Sequence, residues 1–314
     1  MGNKFKRLAP TIVGIVLAII VLAFVIVYIS QWKLPSWLKS SPKQSASEEP
    51  TATPKPSALP TKKPTTKPTA TPTPETTSQD AKGPSPSPSY ERHETIPILM
   101  YFSVSDEEEN AAYLSPQHFS EHLECFAERG ITTISMRELY DHWENDCPLP
   151  AKPLVLTFND GFHSAYTNAL PALTAKGCKA TFYLTVEALD EPGYLTTDMV
   201  REMLQAGMEI GSRGMANTTL ENLSQKLLIY HIKDSKKELE QLFGCPVTTF
   251  CYPGGRFSDA TVAEVGRAGY STAVLTFRPE AATPDQGLHT LGRIRIERGC
   301  GRKEISKILT GLGY

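Results

Sequence analysis

Leu154-Val-Leu-Thr-Phe158 runs directly into Asn159-Asp160-Gly161. The first five residues are an apolar, β-rich run, and the next three are turn-forming. A carboxylate at the carboxyl end of a strand, with a glycine permitting a sharp turn, suits metal binding or acid/base work. An Asx turn opening the next helix is the plainer alternative. Similar runs recur at Ile96–Tyr101, Ala180–Leu184, Glu209–Gly211, Thr249–Tyr252, Thr272–Leu275 and Arg293–Ile296. Helical patterns separate them. Ser135-Met-Arg-Glu138 reads as a capping box. Gly130, Gly177, Gly207, Gly244 and Gly269 each sit where a left-handed helix stop belongs. Strand–helix alternation of this length predicts parallel strands with crossover helices, either a β/α barrel or an open doubly wound sheet. Both folds place their chemistry at the carboxyl ends of strands. Met208-Glu-Ile-Gly211 leading into Ser212-Arg213-Gly-Met-Ala-Asn217, and Phe250-Cys-Tyr-Pro-Gly-Gly255, are two further such ends.

The rest of the 314-residue chain has a different character. Between Leu8 and Trp32 there is no charged residue, and Ile12 to Ile29 is almost wholly aliphatic. A helix over that run spans the roughly 30 Å of a bilayer's hydrocarbon core. Lys4, Lys6 and Arg7 precede it, and Tyr28 and Trp32 fall at an interfacial belt. The run exceeds a signal-peptide core, and no small-x-small cleavage site follows it, so an uncleaved anchor with a cytoplasmic N-terminus is expected. From Ser41 to Tyr90, Pro, Ser and Thr supply 30 of 50 residues. Such a segment buries too little apolar surface to offset its chain entropy, and reads as a disordered, semi-rigid stalk. The expected organisation is residues 1–40 as tip and anchor, 41–94 as stalk and 95–314 as an extracellular domain. The formal net charge of −2 is a sum of unlike parts. Up to Glu94 there are 12 Lys/Arg against 6 Asp/Glu, and beyond it 20 against 28. No basic surface suited to nucleic acid is implied.

The domain resembles the polysaccharide deacetylases, that is, carbohydrate esterase family 4 with its NodB homology domain. The likeness is carried, in order, by Ile96-Pro-Ile-Leu-Met-Tyr101, Leu156-Thr-Phe-Asn-Asp-Gly-Phe162, Ala180-Thr-Phe-Tyr-Leu184, Gly207-Met-Glu-Ile-Gly-Ser212, Tyr252-Pro-Gly-Gly255 and Arg293-Ile-Arg-Ile296. It spans nearly all of 95–314. The resemblance implies a distorted β/α barrel and a metal-dependent hydrolase removing N- or O-acetyl groups from wall or exopolysaccharide sugars. It also implies a divalent metal, usually zinc, on one Asp and two His, with a second Asp as base, a His as acid and a backbone N–H as oxyanion donor.

Most of those groups are replaced. Asp160 keeps a metal-ligand position, but the general-base position holds Asn159, and the two histidine-ligand positions hold Arg213 and Asn217. A guanidinium has no free lone pair and repels a cation. Phe102 stands where a His is common in this branch, Gly254 replaces a Tyr but keeps its N–H, and Arg293 sits at the general-acid motif, where Arg also occurs. Arg213 is expected to pair with Asp160, its charge replacing the metal's. His118 and His122, at i and i+4, are expected on a helix surface, His163 near the cleft mouth, and His231 in solvent. Tyr101, Trp143 and Tyr252 are candidate sugar platforms, with core positions the plainer reading. Six cysteines in an extracellular domain permit disulfides without requiring them. Cys251 is the one candidate for a reactive thiol.

The expectation is therefore a membrane-anchored, extracellular, catalytically inactive homologue that binds envelope glycan or an envelope protein, and no metal or cofactor. An active deacetylase with an unusual zinc site and an envelope scaffold are the competing readings.

Overall fold

The structure, a computed structural model, describes residues 92–107, 110–276 and 278–314. The expected membrane anchor, and all but the last three residues of the expected stalk, lie outside them. At Arg92 and His93 the chain is already tied to the domain: Arg92 Nη2 donates to the Trp143 carbonyl (3.0 Å), and Trp143 Nε1 to that of His93 (2.9 Å).

The described elements alternate as the sequence predicts: β1 (Ile98–Tyr101), α1 (Pro116–Glu128), β2 (Thr132–Ile134), α2 (Met136–Asn145), β3 (Pro153–Phe158), α3 (Leu170–Ala175), β4 (Thr181–Leu184), α4 (Thr197–Gln205), β5 (Glu209–Ser212), α5 (Gln225–Ile229), α6 (Ser235–Phe243), β6 (Thr249–Cys251), α7 (Asp259–Arg267), β7 (Thr272–Val274), β8 (Ile294–Arg295) and α8 (Arg302–Gly311). The capping box of α2 is formed, with Ser135 Oγ accepting from Glu138 N and Glu138 Oε2 from Ser135 N. The five expected glycine stops all have φ between +63° and +84°. β2 escaped sequence reading, because three residues between Gly130 and the capping box are too few to show a period.

Every named strand pair is parallel, and the sheet runs β7-β6-β5-β4-β3-β1-β8. β2 lies beside the first half of β3, and β4 beside its last two residues, so the sheet splits at β3. It curls until its edges meet through one bridge, Val274 to Leu291, just before β8. This is the distorted β/α barrel, and the open doubly wound alternative is excluded.

Alternation along the strands builds two cores. Inside the barrel lie Ile98, Ile134, Val155, Tyr183, Cys251 and Val274. Their neighbours Leu99, Tyr101, Leu156, Phe158, Phe182 and Phe250 face the helices. There the Phe182, Phe158 and Tyr101 rings stack across β4, β3 and β1 with centroids 4.7 and 5.1 Å apart, and Phe119 of α1 meets two of them edge-on. Gly211 is required where β5 passes the interior, since a Cβ there would lie 2.6 Å from the Tyr183 ring.

His122 corrects the sequence expectation. It is wholly buried beneath β1, hydrogen-bonded to the Tyr101 hydroxyl (3.0 Å) and the Cys300 carbonyl (2.7 Å), because α1 turns this face inward along with Phe119, Leu123 and Phe126. His231 is buried too, on the inner face that also carries Ile232. Burial, against the pull of the Cys300 carbonyl, holds His122 down to about 4. A histidine that charges near 6.5 when unfolded but near 4 when folded gives its full stabilisation above pH 6.5 and loses it as pH falls towards 4. An NMR titration of the folded protein should therefore find the His122 ring neutral down to about pH 4. A midpoint near 6.5 would show the burial argument to be wrong.

Candidate functional site

The carboxyl ends of β3, β5 and β6 bring Asn159, Asp160, Arg213 and Cys251 together, and Arg293 reaches them from the segment entering β8. Asn159 follows β3 with its amide N–H on the Tyr101 carbonyl (2.9 Å), which directs its side chain inward. Asp160 takes a left-handed conformation (φ +69°), which Asp tolerates better than most residues. Arg213 follows β5, its amide N–H on the Leu184 carbonyl of β4 (2.8 Å).

The expected pair is present. Arg213 Nε donates to Asp160 Oδ1 at 2.5 Å, with side-chain exposures of only 5% and 11%. Arg213 Nη1 also lies 3.1 Å from Cys251 Sγ. Burial works against the Arg213 charge, but the Cys251 sulfur and the Asp160 carboxylate outweigh it and hold the guanidinium above its usual pKa. The charge is thus fixed at every accessible pH.

A second guanidinium joins the centre from the barrel interior. Arg293, assigned to the cleft from its motif, is wholly buried and plugs the barrel interior. Its Nε donates to the Leu275 carbonyl (2.9 Å), Nη1 to Thr157 Oγ1 (3.0 Å) and Asn159 Oδ1 (2.9 Å), and Nη2 to Cys251 Sγ (3.2 Å). Its carbon also lies 5.5 Å from the Tyr183 ring centroid. No carboxylate pairs with it among the described residues. Every partner it has is neutral or a thiol. The Asn159 oxygen is thereby committed to Arg293 and Cys251, and its Nδ2 is buried without a partner.

Other candidates go elsewhere. Asn217 is exposed, in a stretch without helix, and no hydrogen bond joins it to Asp160 or Arg213. Tyr252 is corrected from cleft to core: it is buried, and its hydroxyl donates to the His289 carbonyl (3.0 Å). Burial, then Cys251, pushes that hydroxyl's pKa up. Tyr101 and Trp143 are core as well. Phe102 is half-buried under the Arg295 guanidinium (5.2 Å). Gly254 is exposed at φ +64°. His163 is half-buried and does reach a groove beside the centre, formed by the loops after β1 and β3 and the turn at 192–194. None of the six cysteines is disulfide-bonded, and Cys251 is inaccessible.

The metal that the resemblance implies does not fit this donor set. One oxygen of the sole retained ligand is held by Arg213, which cannot itself ligate, and the third position faces solvent. Among the described residues no three His, Cys, Asp or Glu side chains converge.

The parallel-stranded β/α barrel, with a carboxylate and an inward Asn at the end of its third strand, fits the scaffold that the resemblance implies. Comparison places it. A family profile for polysaccharide deacetylase matches residues 147–273. A Bacillus subtilis (strain 168) protein, a polysaccharide deacetylase by name, is 30% identical over 209 residues, 67% of this chain and 74% of its own. A peptidoglycan N-acetylglucosamine deacetylase of Bacillus cereus is 31% identical over 142 residues, 45% of this chain and 63% of its own. Among solved structures, the Streptococcus pyogenes deacetylase PplD, in complex with acetate, is similar at a TM-score of 0.64 and 28% identity, covering 68% of this chain and 97% of that one. The chain belongs to the polysaccharide deacetylase family.

Asn159→Asp tests the charge arrangement. It sets a carboxylate oxygen against Arg293 Nη1, now 2.9 Å from the amide oxygen, and deletes the orphaned Nδ2. Chemical unfolding should show a gain of roughly 1–2 kcal/mol. A loss of stability would mean that Arg293 is already fully compensated.

Proposed function

We propose that this protein is a glycan-binding member of its family whose hydrolytic centre is silent, carried outside the cell by a single membrane anchor and a stalk. The observation that carries the reading is the 2.5 Å pair between Arg213 and Asp160. An immobile positive charge fills the place where the family's metal would sit, held by the only ligand left. It supplies charge balance. It offers no open coordination position to polarise an acetyl carbonyl and no acidified water. Asn159 reinforces this, since an amide accepts no proton near neutral pH and its oxygen is already engaged by Arg293.

The glycan part of the reading is supported by relatives named for polysaccharide and peptidoglycan N-acetylglucosamine deacetylation. The domain boundaries at 40 and 94, the anchor over residues 8–32, the cytoplasmic N-terminus and the extracellular position of the barrel rest on the sequence. A stalk of some fifty residues at about 3 Å each would carry the barrel on the order of 100 Å from the bilayer, within reach of wall polymers.

Full-length protein purified in detergent should carry no stoichiometric zinc and release no acetate from acetylated chito-oligosaccharides or peptidoglycan. The triple substitution Asn159→Asp, Arg213→His and Asn217→His should regain zinc binding, measured by calorimetry. Zinc with turnover in the unaltered protein would overthrow the silent-centre reading.

A further inference from the structure

Beside the silent centre lies a built groove of about 680 Å³, within the size range of ligand pockets. Three half-buried aromatic side chains line it: Tyr113, Phe162 and Tyr194. The Phe162 and Tyr194 rings stack at 5.5 Å and 21°, and Tyr113 meets Phe162 edge-on at 5.6 Å. Both walls are fixed by backbone. On one, Phe162 bridges Tyr194 and His163 N donates to the Gly193 carbonyl (2.9 Å). On the other, Val104 bridges Leu114, and Ser105 N donates to the Leu114 carbonyl (2.8 Å). Asn168 Nδ2 ties the walls together through the Val104 carbonyl (2.7 Å), as does the 2.7 Å Ser103–Ser164 hydroxyl pair.

The only carboxylate in the groove's lining, among the described residues, is Glu107, with the Arg298 guanidinium close by, donating to the Glu107 backbone carbonyl. No lysine or arginine lines it, and His163 is the only lining side chain able to become positive. Glu107 lines it with no ion-pair partner for its carboxylate among the described residues. Burial first, then the Glu107 carboxylate, raises the Tyr113 hydroxyl's pKa, while a hydrogen bond with Asn110 opposes the rise. Aromatic rings favour sugar stacking, and together with an unpaired carboxylate they favour a cation over a neutral ligand.

We infer that this groove binds amino-sugar oligomers that have already lost their acetyl groups, so that the domain reads the cationic product of its catalytic relatives rather than their neutral substrate. The inference rests on the glycan-binding reading above and narrows it to one ligand class and one place. An acetylated chain offers the groove no cation, whereas a deacetylated one can set a protonated amine against Glu107 and the aromatic rings. Salt should weaken this preference, because Glu107 is exposed.

Calorimetry on the full-length protein in detergent, at a pH where the sugar amines are protonated, separates the outcomes. The probes are the glucosamine tetramer and the N-acetylglucosamine tetramer. The expected result is about tenfold tighter binding of the glucosamine tetramer at low salt, a difference of about 1.4 kcal/mol. Glu107→Gln, at an exposed position, should erase the preference without affecting the fold, and Tyr194→Ala should weaken both ligands. Equal or tighter binding of the acetylated tetramer, or a preference untouched by Glu107→Gln, overturns the inference. In that case acetylated binding that survives Tyr194→Ala would leave the broader glycan reading standing. Failure to bind either tetramer overturns both.

Discussion

Two guanidinium groups converge on one thiol at the mouth of the barrel, and only one carboxylate answers them. Arg213 reaches Cys251 at 3.1 Å and Arg293 at 3.2 Å, while Asp160 pairs with Arg213 alone. Charges so deeply buried are tolerated only when their hydrogen-bonding groups are closely satisfied. That requirement fixes the surrounding side chains. Thr157, the Leu275 carbonyl and the Asn159 oxygen are all turned towards Arg293. The strand ends that a metal would gather in an active relative are gathered here by arginines spanning β3, β5, β6 and the segment entering β8.

This substitution changes the chemistry more than it changes the fold. A metal site holds a positive charge while keeping a coordination position free for substrate and water. Arg213 holds its charge with Nε on Asp160 and Nη1 on Cys251, and a guanidinium has no lone pair or open coordination position to offer a reacting atom. The same scaffold is thereby relieved of any need to keep its centre open. The neighbouring groove is built on the same loop, one wall starting at Phe162, two residues beyond Asp160. The proposed silence of the centre rests on this exchange of a metal for a buried guanidinium.

The strands, the helix stops and the α2 capping box were legible because they depend on local periodicity and cap chemistry. So was the Arg213–Asp160 pair, since a charge gained opposite a retained carboxylate has few better places to go. What failed depends on the curl of the sheet. Cys251 and Asn159 are separated by two strands in the sheet order, and only closure of the barrel sets them 3.5 Å apart. Arg293 and Tyr252 carry the motif positions of a cleft, yet the structure buries both. Asn217 failed for the opposite reason, because the stretch after Arg213 is bends and coil rather than helix and carries it into solvent. His122 was misplaced because i, i+4 spacing names a helical face without saying which neighbour covers it. The aromatic groove was signalled only by His163, since its other residues come from three separate loops.

A double-mutant cycle on Arg213 and Asp160 tests the account most directly, with Arg213→Met, Asp160→Leu and the pair compared by chemical unfolding. Each single change leaves a buried charge without its partner and should cost about 3–5 kcal/mol, while the double variant should recover much of that loss. A coupling of several kcal/mol is the predicted result. Additive effects, with coupling below about 0.5 kcal/mol, would contradict the claim that this pair has taken over the metal's place.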